Sequence, residues 1–244
     1  MSFIRNLLTF NKTMRIVAMV VAGISLVVLF FLWRSIQLRS LGQDASYKAP
    51  MRHYSSGEKK LIRSSFAGAL REYRQAKTML EAIPGINLDQ DYYYGIVLNG
   101  IGTVHLRVGI YGDGQLKPDP KQPSEVTAEK IREAISYFKN SEQIFSSWLA
   151  EHRPPVEEIA RLKASRRDKE EDDIVLRPFE RYERALSVSC SNLGMAARYL
   201  GETKQAIAHY KRSLALWPEQ EAAKANLATL RDESGFTEPE VPEK

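Results

Sequence analysis

Cysteine occurs once in this chain, at Cys190, and the four histidines are scattered at His53, His105, His152 and His209. A lone cysteine excludes an intrachain disulfide and a multi-cysteine metal site. The histidines never fall at the HxxxH or HExxH spacing that presents two imidazoles on one helix face. Glycine-rich phosphate loops and serine-nucleophile elbows are missing too. The stretch "YGDGQLKPDP" lacks the spacing and terminal glutamate of a calcium loop. No catalytic residue, cofactor or metal is therefore expected, and the chain does not read as an enzyme. His105 and Cys190 are expected to be packing residues.

Charge of one sign is scarce as well. Of the net +5, residues 1–33 supply Arg5, Lys12 and Arg15 with no acid, and the remainder holds 32 basic against 30 acidic residues. That balance lacks the cationic field that phosphate-backbone binding requires, so nucleic acid is not an expected partner. Period-two alternation of apolar residues is also nearly absent, and the fold class expected is all-α.

What is present begins with "IVAMVVAGISLVVLFFLW", eighteen uncharged residues at 16–33. At about 1.5 Å per residue this covers most of a hydrocarbon core roughly 30 Å thick. It reads as a single transmembrane helix in contact with the lipid bilayer, fenced by Arg15 and Arg34, with Trp33 at the interface. The following "LWRSIQLRS" is too large and charged for a signal-peptidase site. Residues 1–15 form a basic tail and 34–55 a polar stem; basic residues flank the run almost equally, and the layout of an uncleaved signal anchor, with the carboxy-terminal domain outside the cytoplasm, is expected over the reverse orientation.

Residues 56–233 read as consecutive helices. One runs from Ser56 to Pro84-Gly85 with Leu61, Phe66, Ala69, Leu70, Tyr73, Ala76 and Leu80 on one face, and a second runs from Asp91 to Val108. A glycine- and proline-rich loop follows, then a helix over 127–150 and a charged insertion at about 151–178, read as a solvated helix or a mobile segment. Helices from Pro178 to Leu200, Glu202 to Leu216 and Glu219 to Arg231 complete the series, and the acidic tail 234–244 is expected to be disordered.

The offsets within "NLGMAARYLGETKQAIAHYKRSLALWP" resemble the tetratricopeptide repeat, a helix–turn–helix unit of 34 residues. Framed as 187–220, the unit places Leu193, Gly194, Gly201, Ala206, Tyr210 and Pro218 at the repeat's structural positions. A second copy, at about 95–143, is split by an inserted loop at 110–127: Ile101, Gly102 and Gly109 match its first helix, and Ala134 and Phe138 its second. Ala69, Tyr73 and Ala76 repeat the small–aromatic–small spacing, like a lone second helix.

The resemblance implies a short solenoid of helical hairpins with two insertions and a capping helix, built to bind other proteins. Its groove positions map onto Asn99, Thr103, Arg107, Asn192, Met195, Arg198 and Tyr199, with Asn226 and Thr229 extending the face from the cap. Ile96 and Val188 stand where carboxylate-clamping repeats carry lysine, so an apolar or helical segment is the expected ligand. The implied role is a scaffold or assembly factor in a bacterial envelope machine (secretion, flagellar, pilus or division) at the inner membrane. The alternative is a translocon-associated, chaperone-like holder of clients. An array this short exposes its ends, and a partner or a second copy of the chain is expected to cover them.

Overall fold

The computed structural model describes residue 25 and residues 45–112, 125–165 and 170–234. Within them the chain is helical, with no strand: α1 Lys48–Ile62, α2 Phe66–Glu81, α3 Tyr92–Tyr111, α4 Glu125–His152, α5 Val156–Ser165, α6 Glu170–Tyr199, α7 Thr203–Leu216 and α8 Glu221–Ser234. A 3-10 turn at Ala45–Tyr47 precedes α1. No described helix is long and apolar enough to cross a membrane. The 16–33 run lies outside the described residues except for Ser25, as do the 1–15 tail and nearly all of the 234–244 tail.

Three helical hairpins, α1–α2, α3–α4 and α6–α7, repeat one packing motif. In each, a first-helix glycine lies against a fully buried aromatic of the second helix. A Cβ at Gly57 would come within 2.7 Å of the Tyr73 ring, at Gly102 within 2.6 Å of Phe138, and at Gly194 within 2.7 Å of Tyr210. The helices approach this closely because no side chain separates them. The second helix of each hairpin then packs on the first helix of the next, α2 on α3, α4 on α6 and α7 on the capping α8. Ala69, Ala134 and Ala206, all fully buried, occupy equivalent places.

The first hairpin corrects the sequence reading. What the periodicity presents as one helix after a polar stem is two helices, and residues 45–55 belong to the folded domain. Tyr47 donates to Asp91 at 2.8 Å and its ring lies 4.8 Å from Tyr93, which ties the start of α1 to α3. Pro50 is tolerated because it falls in the first turn of α1, where its missing N–H has no helical partner to lose. The break between α1 and α2 is a left-handed residue, Ser64 at φ 57°. Its amide donates to Leu61 and that of Ser65 to Lys60, the same pair of bonds that Gly201 (φ 77°) and Glu202 make to Arg198 and Ala197. This is the Schellman closure of a helix end. The lone second helix of the sequence reading thus has its partner, α1.

Glu72 clamps this hairpin by accepting from Lys60 and lying 2.8 Å from His53 Nδ1. The Lys60 and then the His53 hydrogen bond lower its pKa from 4.5 to about 2. A depressed folded value contributes stability that is complete above the ordinary carboxylate range and lost as pH falls toward about 2. Glu72→Gln is therefore expected to lower the thermal midpoint at neutral pH and to flatten its fall across that acidic window.

Two further readings are corrected. Gly109, which aligns with the turn glycine Gly201, lies instead buried within α3, which ends at Gly112 with φ 68°. The inserted loop is accordingly shorter than 110–127 at both edges, since α4 begins at Glu125; residues 113–124 lie outside the described set. Within the charged stretch, Val156–Ser165 is helical, and its last part belongs to α6, which starts at Glu170 and carries Pro178 inside it. Burial explains this, with Leu176, Phe179, Tyr182 and Leu186 at helical spacing all buried and the last three in one cluster with Ile144, Phe145, Trp148 and Leu149 of α4. Trp148 stacks on Tyr182 with ring centroids 3.9 Å apart.

Candidate partner-binding face

The first helices of the hairpins lie side by side, and residues at fixed offsets from Gly57, Gly102 and Gly194 form rows across them. One position after the glycine come Glu58, Thr103 and Met195, and five after it come Ile62, Arg107 and Tyr199. Sequence reasoning missed the contributions of α1, because Gly57 follows a serine rather than the leucine or isoleucine that precedes Gly194 and Gly102.

The nine expected groove residues have different fates. Asn192 Nδ2 donates to Asn99 Oδ1 at 2.9 Å, and Asn99 is only 9% exposed. Thr103 donates to the Asn99 carbonyl at 2.9 Å. The Asn99–Asn192 bond fastens α3 to α6, whereas the Thr103 bond stays within α3. Asn192→Ala leaves the Asn99 oxygen buried without its donor, and is expected to cost about 1–3 kcal/mol in urea unfolding. The Asn99→Ala/Asn192→Ala pair is expected to cost less than the sum of the two single changes.

Met195 and Tyr199 are half-buried against the cluster of Leu106, Ile110, Ile131 and Phe138. Arg198 is half-buried and engaged. Arg107 is exposed on the same face. On α8, Asn226 is half-buried, while Thr229 is exposed and donates to the Ala225 carbonyl; neither bonds to the other seven. Ile62, 80% exposed, and its row-mate Arg107 are the exposed members of the row five residues after the glycine.

The structural residues of the repeat are where close packing requires them. Ile101, Ala134, Phe138, Ala206 and Tyr210 are fully buried and Leu193 nearly so. Pro218 follows α7, which it cannot extend.

His105 is 4% exposed, stacked on Tyr137 with its Nδ1 3.2 Å from Glu133, and burial lowers its pKa. Cys190 is fully buried, and burial raises its thiol to about 11. Both are packing residues. Among the described residues no group of His, Cys, Asp and Glu could hold a metal. The cleft between α4, α6 and α7, lined by Ser146, Leu149, Arg153, Phe179 and Leu216, holds about 230 Å³. Small-molecule sites usually occupy roughly 300–1,000 Å³. A larger depression of about 430 Å³ is lined by α2 alone, through Leu70, Arg71, Arg74 and Thr78.

No protein-family model, curated protein or solved structure matches this chain.

Proposed function

We propose that the chain is a membrane-anchored protein of the tetratricopeptide-repeat type, a binding scaffold or assembly factor in a bacterial envelope complex. Residues 16–33 hold it in the inner membrane by a single span, and the helical domain faces away from the cytoplasm. The observation that carries the binding role is the outward row of Ile62 and Arg107 at equivalent positions of successive first helices, next to the half-buried Tyr199. An apolar anchor beside a guanidinium suits a helical or extended segment that carries an apolar residue and a carboxylate.

The alternative, a holder of unfolded clients, needs a broad apolar surface. Among the described residues the large exposed hydrophobics are Ile62 and Val156. Two isolated residues favour one defined partner over many clients.

The test is co-purification from detergent-solubilised membranes of the native host. A single stoichiometric companion is expected, lost in Ile62→Asp/Arg107→Glu and kept in Arg71→Glu on the outer side of α2. Companions unaffected by the paired change would overturn the assignment of this face, and release of the chain by alkaline carbonate would overturn the anchor.

A further inference from the structure

The outer face of α1 carries a second surface of different character. Lys48, Arg52, Ser55, Lys59 and the C-cap Arg63 recur at offsets of 4, 7, 11 and 15 residues, and all are exposed. At about 100° per residue they fall within one stripe of less than a third of the helix circumference. The stripe lies opposite Pro50, Gly57 and Leu61, the buried positions of α1.

Its charge is uncompensated. Residues 45–82 hold eight Lys and Arg against three Glu. Each glutamate is already committed: Glu58 accepts from the Tyr73 hydroxyl, Glu72 pairs with Lys60 and His53, and Glu81 takes Lys77 and the Tyr94 hydroxyl. Among the described residues Lys48, Arg52, Lys59 and Arg63 have no carboxylate partner. The exposed face of α8, by contrast, mixes Glu221, Lys224 and Asp232. A solvated helix face ordinarily alternates sign in that way.

The position of the stripe in the chain indicates what it meets. Fourteen residues, 34–47, separate the apolar run from α1, and the last three are fixed to α3 through Tyr47. Even fully extended, they keep the start of α1 within about 50 Å of the end of the run. With residues 16–33 as the anchor, the headgroup layer of the bilayer is always within reach, and anionic lipid in it attracts basic segments next to a span.

We propose that the Lys48–Arg52–Lys59–Arg63 stripe lies on the anionic lipid surface of the bilayer that residues 16–33 cross. The proposal rests on the anchor reading above. It gives the array a fixed posture, with α1 flat on the membrane. Glu58, which heads the row of Thr103 and Met195, is then turned about a quarter of a circle from the centre of the stripe, while Ile62, seven residues after Ser55, lies at its edge. The partner-binding face then runs from the edge of the stripe, at Ile62, across the first helices toward Arg107 and Tyr199.

The experiment uses the full chain reconstituted in vesicles of phosphatidylcholine alone or with about 30 mol% phosphatidylglycerol. An environment-sensitive fluorophore is placed at Ser55→Cys, with Ala222→Cys on α8 as the distant control; Cys190 is fully buried. Brominated lipids report contact. The Ser55 probe is expected to be quenched in anionic vesicles and unquenched in neutral ones, and to be released at about 1 M salt, where the screening length shrinks to about 3 Å. The Lys48→Gln/Arg52→Gln/Lys59→Gln variant is expected to lower the docked-to-free ratio about a hundredfold, each surface cation contributing about fivefold. The Ala222 probe stays in water throughout. A Ser55 probe that remains in water while the chain resists alkaline carbonate overturns the docking and leaves the anchor standing. Carbonate release overturns both. If the vesicle arm is negative and the Gln variant instead loses an acidic protein or RNA from cells, the stripe belongs to that macromolecule and the proposal fails.

Discussion

Gly102→Ala is expected to destabilise the chain by about 2–3 kcal/mol, the upper range for overpacking a filled interior. A Cβ there would lie 2.6 and 2.8 Å from two ring carbons of Phe138 and 3.2 Å from the Ala134 carbonyl oxygen. Phe138 is fully buried, so its ring has nowhere to move, and the carbonyl belongs to the backbone of α4. Gly102→Leu is expected to separate α3 from α4 and abolish cooperative unfolding. The contrast is Gly201→Ala, where nothing lies within 4 Å and the cost is only the left-handed backbone, about 1–2 kcal/mol. Urea unfolding of the detergent-solubilised chain, followed by helical circular dichroism, separates the cases. Phe138→Leu combined with Gly102→Ala is expected to be more stable than the sum of the two changes predicts, by about 1 kcal/mol, because the smaller side chain relieves the clash.

Tyr73→Ala is expected to cost about 3–5 kcal/mol, the range for removing a buried aromatic. Tyr73 is fully buried, its ring lies against both Gly57 of its own hairpin and Gly100 of the next, and its hydroxyl donates to Glu58. One ring therefore joins two hairpins. Loss of the hydroxyl alone, in Tyr73→Phe, is expected to cost about 1.5–3 kcal/mol, because the acceptor is a carboxylate. The equivalent change in the third hairpin is expected to behave differently. Tyr210 holds the same place against Gly194, but its hydroxyl is buried without a hydrogen-bond partner among the described residues. The position matching Glu58 is Met195, a side chain with no comparable acceptor. Tyr210→Phe is therefore expected to be neutral or stabilising by up to about 1 kcal/mol. Equal losses at both tyrosines would contradict the claim that the hairpins share a register but differ at this polar contact.

The parts of the fold legible in the sequence are those governed by steric contact at fixed spacing. Gly194 with Tyr210 and Gly102 with Phe138 were readable because a small residue and a ring must recur at the offsets that bring two helices together. The α1–α2 hairpin obeys the same geometry through Gly57 and Tyr73, yet its turn is hidden. Ser64 adopts a left-handed backbone without the glycine that would announce it, so residues 56–83 read as one helix. Pro178 misled in the opposite sense, since burial of Leu176, Phe179 and Tyr182 around it outweighs its local preference for a helix start. At the candidate face, the residue types were legible but their commitments were not. Nothing in one sequence indicates that Asn99 and Asn192 bond to each other across two helices, because that contact spans 93 residues. The same long-range pairing left Arg107 and the unforeseen Ile62 as the outward-facing members.

The most direct measurement of the central claim is site-specific photocrosslinking in cells of the native host. A photoreactive residue replaces Ile62, Arg107 or Tyr199 on the first helices, or Arg71, Arg132 or Lys204 on the exposed sides of the second helices. One shared neighbour from the first three positions and none of it from the last three is the result expected of a scaffold that binds through its first-helix row. A smear of many clients, or the same neighbour from both sides of the array, would contradict that account.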